Sequence, residues 1–433
     1  MKINILVTVL LGLAIILNIT SYNYFLTLLS IVWFLSSILI VYGGIKFSLK
    51  YHFLQFNIKK IIAGIRSKSK NNISPISSLC ISLAAKIGVG SLSGVALAIY
   101  LGGIGTIFWI VIISLLVVIN TYIECILGIK YREKVAGNYL GGPSYYLKKC
   151  LNNKYLSHLY GILIIISYSI LFLSIQTNTI IRTIDYFMLD TNYVVIILFI
   201  VTFLIIIKGL KGVSTINLFI VPLMIVLYFL LGIYVFFTNL EIVPHLITAV
   251  LKEAFHIKSI IPVFLIGMQR AIFMTESSIG TSAIAASTCD NDADKQAMLE
   301  VLGIYIIIFL ICLMTFFMIV TSNYNLVKFN NINGIEIVIY AFKYHFGAYG
   351  SIIISLITIL FAFSTIVSSY FFGEINLLAF SKKKIVSITY KIVFMIVILA
   401  SCYIKVNILW NLTDFLVAIL AIINMYAIIK IDK

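Results

Sequence analysis

Apolar residues run in blocks of about 18 or more, long enough to cross a hydrocarbon core roughly 30 Å thick, and the blocks recur to the end of the chain. Their spacing predicts helices over 4–19, 24–47, 76–100, 105–129, 156–179, 192–207, 213–236, 259–288, 297–321, 349–373, 386–403 and 407–429. Two blocks are cut by glycine and small polar residues, one at Gly88-Val89-Gly90-Ser91, the other at Thr275-Glu276-Ser277-Ser278-Ile279-Gly280. An unpaired N–H or C=O costs on the order of several kcal/mol in hydrocarbon, so such a break survives only where it lines a cavity. Two breaks at corresponding places in two halves point to the central site of a secondary transporter.

The fold expected from this pattern is an all-α polytopic membrane protein with about 12 transmembrane helices. Residues 1–74 would hold two N-terminal helices and a surface segment, and 75–433 a ten-helix core. The core divides into sets of five spans, 75–258 and 259–433, each opening with a break. An odd number of spans inverts the second set against the first, which makes an inverted repeat. In His52–Lys70 the apolar Phe53, Leu54, Phe56, Ile61, Ile62 and Ile65 interleave with lysines, predicting an amphipathic segment along the inner surface. Segments 239–258 and 323–349 are too polar to span and are expected to be outer connectors that also gate. Met1–Asn18 has Lys2 ahead of an apolar run, but no convincing small-x-small cleavage site follows, so a retained helix or signal anchor is expected.

Composition agrees: 62% of residues are hydrophobic and 11% charged, which excludes a large soluble domain. The net charge of +16 changes the picture only through its distribution. With the N-terminus inside, Arg182, Lys252, Lys258, Lys328, Lys343 and Lys405 fall outside, and Lys86 and Arg270 fall within spans. The remaining basic residues lie on the inner side. The positive-inside rule thus puts both termini in the cytoplasm, in a cell membrane, and accounts for the basicity without a separate lipid-binding or nucleic-acid role. The six cysteines (80, 125, 150, 289, 312, 402) form no CxxC and read as small apolar helix residues.

Chemistry gathers at the breaks. Gly88 and Gly90 let the chain leave helical geometry, exposing carbonyls that suit a cation and N–H groups that suit a carboxylate. Gly90 and Gly94 also fit close small-xxx-small helix packing. Arg270 and Glu276 flank Phe273 in an apolar span. Such charges face a cavity or each other, and Glu276 could pair with Arg270 or with Lys86. Glu124 sits near the inner end of its span, as a gate or an interhelical hydrogen-bond partner, while Gln176 could reach the centre. Adjacent hydroxyls at Ser364-Thr365 could serve a hard cation, or bond back to their own helix. No HExxH, phosphate loop or complete calcium loop occurs, and the Asp290–Asp294 run reads as a solvated turn. No enzyme activity and no cofactor is expected.

These residues resemble the alanine or glycine:cation symporters, within the superfamily that has a LeuT-type core of 5+5 helices. Gly88-Val89-Gly90-Ser91-Leu92-Ser93-Gly94-Val95 matches the family's G-T-G-N-I-x-G-V. Lys130-Tyr131-Arg132-Glu133-Lys134, followed by Gly141-Gly142-Pro143 and Tyr145-Tyr146, is the most specific match. Gln176-Thr177-Asn178, Arg270 with Phe273, Glu276 and Gly280, Phe361–Thr365 with Gly373-Glu374, and Trp410–Asp414 also match. The likeness runs from about Tyr24 to the C-terminus. It implies a monomeric carrier that binds a neutral amino acid and Na⁺ in the bilayer. Backbone at Gly88–Ser91 would hold the substrate carboxylate, and Gln176, Phe273 and Thr275 the rest. Sodium would sit between the carbonyls of Ala84 and Ile87 and the hydroxyls of Ser364 and Thr365.

Departures from the family pattern cluster at this site. Val89 replaces Thr, Ser91 replaces Asn, Met274-Thr275-Glu276 stands for S-N-E, and Ser278 replaces a Gly. Ser369 stands where the family has a Trp lining the pocket, and Ile307 where it has an Asp. The function expected is sodium-coupled import of a small neutral amino acid, alanine- or glycine-like, with room for one as large as serine or glutamine. The rivals are a proton-coupled carrier of the same fold, with Glu276 or Glu124 titrating, and a sensor or structural membrane protein that does not transport.

Overall fold

Long apolar runs become long helices because hydrocarbon offers the backbone no partner but itself. A computed structural model describes residues 2–20, 22–66, 73–135, 137–185, 190–323, 334–401 and 406–432. Cys402, Lys328, Lys405 and the end of the basic segment at Lys68 and Lys70 lie outside the described residues.

The N-terminal region holds α1 (Lys2–Thr20), α2 (Tyr22–Lys50) and the short α3 (Ile58–Ile65). The core begins with α4 (Pro75–Lys86) and α5 (Val89–Gly102), which together form one span bent by 43° at the first break. Next come α6 (Thr106–Lys130), α7 (Pro143–Lys149), and α8 (Lys154–Ile166), which runs through a π-turn at Ser167–Phe172 into α9 (Leu173–Asp185). Then follow α10 (Thr191–Ile207), α11 (Gly209–Thr238) and α12 (Val243–Ala254). The second break divides α13 (Ile260–Thr275) from α14 (Thr281–Ser287). The last elements are α15 (Ala293–Ile306), continued by a π-turn into α16 (Leu313–Val320), then α17 (Ile335–Phe380), α18 (Lys384–Ala400) and α19 (Val406–Ile431).

Among the described residues seven helices are long and apolar enough to span, and the bent α4–α5 pair makes an eighth. The expected spans at 192–207 and 386–403 form as helices of 17 residues, and the first half of the broken 259–288 span as one of 16. Segment 239–258 contains α12, which is clamped to the core: Trp109 Nε1 donates to the Ala254 carbonyl at 3.2 Å. The described part of 323–349 is largely the first arm of α17, set off from the spanning arm by Gly347 at φ 64°.

One element was not foreseen. Within the Lys130–Tyr146 motif, β1 (Glu133–Val135) and β2 (Asn138–Leu140) form an antiparallel hairpin, with Glu133 opposite Leu140. Arg132 stacks on Tyr139 with its guanidinium carbon 4.0 Å from the ring centre and donates to the Cys289 carbonyl at 2.5 Å. The start of the motif therefore anchors the chain just after α14, while its end reaches the second break, where Tyr146 donates to Asn424 and Pro143 packs on Gly280.

Backbone conformation makes a sharp distinction between two glycines. Gly280 has φ +107°, and a Cβ there would lie 2.3 Å from Pro143 Cγ and 2.5 Å from Tyr160 Oη. At Gly94 a Cβ would make ordinary contact, 3.7 Å from Met274. Gly280→Ala should therefore lower stability by at least about 1–3 kcal/mol through strain and clash, whereas Gly94→Ala should be tolerated. Thermal unfolding of the two purified variants in detergent checks both.

Candidate functional site

The first break is short. The Ile87 amide still donates to Leu83 at 2.7 Å, and Gly88 then swings to an extended conformation with ψ −178°. The helix restarts at Val89, and the Ser91 amide and hydroxyl both donate to the Gly88 carbonyl, at 3.0 and 2.9 Å. Glycine is required at 88 because of what presses on it: a Cβ there would lie 2.7 Å from Thr365 Oγ1 and 3.0 Å from Gln176 Nε2. Gln176 Oε1 accepts from the Val89 amide at 3.4 Å.

Thr365 reaches the end of α4. Its Oγ1 lies 2.7 Å from the Ala84 carbonyl and 2.9 Å from that of Phe361, so one hydroxyl proton is shared between another helix and its own. Ser364 turns differently, donating to Phe361 at 2.9 Å beside Met224 Sδ. Thr275 also bonds back, to Ala271 at 2.8 Å. Ser369 is buried one turn along the helix from Thr365, and its hydroxyl has no hydrogen-bond partner among the described residues. Phe273 lies over Gly90, where a Cβ would come within 2.8 Å of its ring. The Phe273 ring centre is 6.1 Å from that of Phe172 and 6.0 Å from that of Trp410, forming an aromatic wall.

The second break is longer and more heavily supported. Glu276, Ser278 and Gly280 all have positive φ, at 47°, 75° and 107°. Asn424 on α19 donates to the Ser278 carbonyl and to Glu124 Oε2, both at 2.8 Å, and accepts from Tyr146. Tyr160 donates to the Ile279 carbonyl at 2.7 Å. From α6, Asn120 donates to Ser278 Oγ and Thr121 to Ser277 Oγ, each at 2.9 Å. Glu124 thus takes the interhelical hydrogen-bond role, while Asn178 is drawn away from the centre to the Ser401 carbonyl at 2.6 Å.

The expected charge partners need correction. Lys86 pairs with Glu300 on α15 at 3.9 Å, both side chains fully buried, and donates to Ser82 and Ser282 at 2.9 and 2.6 Å. Glu276 is held by Thr281 at 2.8 Å, because its left-handed turn aims the carboxylate along α14, and it meets Lys86 only through space. Arg270 interacts electrostatically with Asp414 on α19 rather than with Glu276. Sequence reasoning missed Glu300, Asn424 and Asp414 as partners. Glu300 and Asn424 carried a visible signal, a polar group inside an apolar block, but nothing in the chain said which group each would meet. Among the described residues no cluster of three His, Cys, Asp or Glu side chains could hold a metal.

The model of the sodium:alanine symporter family matches residues 18–433. This chain belongs to that family. Its members are transporters rather than enzymes, and this one is a multi-pass membrane protein of the amino acid symporter class. It is similar to the probable sodium/glutamine symporter GlnT of Bacillus subtilis, with 31% identity over 92% of this chain and 85% of that one. The amino-acid carrier protein AlsT of Bacillus subtilis is 30% identical over 89% of this chain and 84% of its own length. The sodium/alanine symporter AgcS of Methanococcus maripaludis is 26% identical over 84% and 83%. Among solved structures, MhsT in complex with L-phenylalanine matches with TM-score 0.55 at 15% identity, covering 82% of this chain and 87% of that one. That likeness supports the LeuT-type fold expected of this symporter.

Removing one member of a buried ion pair strands the other, which costs about 3–5 kcal/mol, whereas replacing both with apolar groups is close to neutral. Lys86→Met should therefore lower the thermal unfolding midpoint sharply, and adding Glu300→Met should recover most of the loss. A double-mutant cycle on the midpoints measures this coupling.

Proposed function

We propose that this symporter carries Na⁺ and a small neutral amino acid inward by alternating access. The substrate would be alanine- or glycine-like, with room up to serine or glutamine. The observation that carries this reading is the Thr365 hydroxyl 2.7 Å from the Ala84 carbonyl at the unwound end of α4. Two oxygens from different helices already converge there, and a cation between them would join α17 to α4. Ile87 and Ser364 would complete its oxygen shell after small rotations. The backbone from Gly88 to Ser91, at the positive end of α5, suits a carboxylate. Gln176, Phe273 and Thr275 would border the remainder of the substrate. Ser369, in place of a bulky aromatic, would leave volume for a side chain beyond methyl.

Because ion and substrate share one break, each would stabilise the other's site, and the affinity factor must be reciprocal. Arg270 with Asp414 would gate the outer side of the Phe273–Trp410 wall. Lys86, Glu300, Glu124 and Glu276 would brace the inner side. The same reading takes 75–258 and 259–433 as inverted repeats, working as a monomer in the cell membrane with both termini inside. The names of GlnT and AgcS, sodium/glutamine and sodium/alanine, support both the ion and the substrate range.

The test is uptake of labelled neutral amino acids by purified protein in liposomes, with and without an inward Na⁺ gradient. Sodium-driven accumulation of one or a few of them is expected. Accumulation driven by a proton gradient without Na⁺ would instead assign coupling to Glu124 or Glu276, and silence of folded protein under both gradients would remove the transport reading. Thr365→Ala should raise the Na⁺ concentration for half-maximal uptake without changing substrate preference. Ser369→Trp should narrow the substrate range, and an unchanged range would remove Ser369 from the pocket.

A further inference from the structure

The short helix α3 carries three different faces, and among the described residues only one of them packs against the protein. At about 100° per residue, Ile61 and Gly64 share a face that packs on α15. Ile61 is buried, and a Cβ on Gly64 would lie 2.7 Å from the Lys295 carbonyl. Next around the helix come Ile58, Ile62 and Ile65, which are 69%, 44% and 43% exposed. Phe53 and Phe56, in the turn that leads into α3, are also half exposed. Beyond that stripe lie Lys59 and Arg66, one behind the other on the outer side. The neighbouring bases are already engaged: Lys60 meets Asp294 at 3.5 Å and Lys50 meets Asp432 at 3.1 Å. Among the described residues neither Lys59 nor Arg66 has an acidic partner.

An exposed isoleucine stripe bordered by two unpaired cations is the pattern of a helix lying in a membrane interface. The stripe enters the acyl boundary while the long basic side chains reach the headgroup phosphates. We propose that α3 is a docking surface for anionic phospholipid, held through Lys59 and Arg66, and that the bound lipid fixes α3 against the start of α15. The mechanical link is specific. Asp294, in the first turn of α15, binds both Lys60 and the Tyr122 hydroxyl, the latter at 2.5 Å. Tyr305, farther along α15, donates to the Gln55 carbonyl at 2.6 Å. Since α15 also carries Glu300, the charge of the leaflet is transmitted to the helix that pairs with Lys86. This contact is independent of which substrate or ion is carried, so it can be read by binding alone.

Full-length protein in neutral detergent should be titrated with phosphatidylglycerol, phosphatidylcholine or free glycerol phosphate while its unfolding midpoint is followed. Phosphatidylglycerol should raise the midpoint, and the Lys59→Gln/Arg66→Gln variant should need about thirtyfold more of it, from two basic groups near an anionic surface. The effect should fade as salt rises. Hydrogen exchange of the first turns of α15 should slow with phosphatidylglycerol in the wild type and not in the variant. Identical titrations for the two proteins, or an equal shift from phosphatidylcholine or glycerol phosphate, would overturn the lipid assignment. Lipid binding without any change in α15 exchange would overturn the link to α15.

Discussion

A helix broken inside a membrane leaves backbone groups that water cannot reach, and much of this structure is organised around supplying them with partners. The stretch from Thr275 to Gly280 is the clearest case. Its carbonyls at Ser278 and Ile279 are taken by Asn424 and Tyr160, and its hydroxyls by Asn120 and Thr121. These donors come from α19, α8 and α6, so the break can exist only if those three helices pack around it. Its positive φ values at Glu276 and Ser278 are a further cost that the surrounding bundle must hold in place.

The first break is handled in the opposite way. It is only as long as Ile87 and Gly88, its two nearest side-chain partners are Gln176 and Thr365, and both lie close enough to forbid a side chain at Gly88. One break is thereby built into a rigid frame, while the other keeps its polar groups close to a hydroxyl and an amide that can reorient. That asymmetry suits a site where a ligand must enter and leave beside a fixed support. The Lys86–Glu300 pair and its serine partners link α4 and α14, one half of each broken helix, to α15. An intact buried pair of this kind adds little net stability, but removing one partner leaves an uncompensated buried charge.

The fold was legible because its cause is one-dimensional. Helix ends at Lys50, Gly102, Lys130, Thr238 and Ile431 fall within a few residues of the ends of apolar blocks, since the same hydropathy that selects a span also ends it. The breaks were legible for the same reason, glycine and small polar residues being out of place in hydrocarbon. Short loops were less so: the β1–β2 hairpin after Arg132 depends on a cation–π stack and a carbonyl contact near Cys289, neither of which has a hydropathy signature.

Sequence by itself therefore determined that this chain is a many-spanned helical membrane protein, where its helices break, and through its motifs which family it belongs to. Tertiary structure alone decided the pairings. It gave Lys86 to Glu300 rather than Glu276, brought Arg270 towards Asp414, joined Asn424 to Glu124 and Ser278, and set Thr365 on Ala84. Hydropathy depends on what a residue is, and can be read along the chain. A buried charge or hydroxyl is satisfied by whichever group another helix brings within about 3 Å, and that follows from packing between segments as many as 300 residues apart.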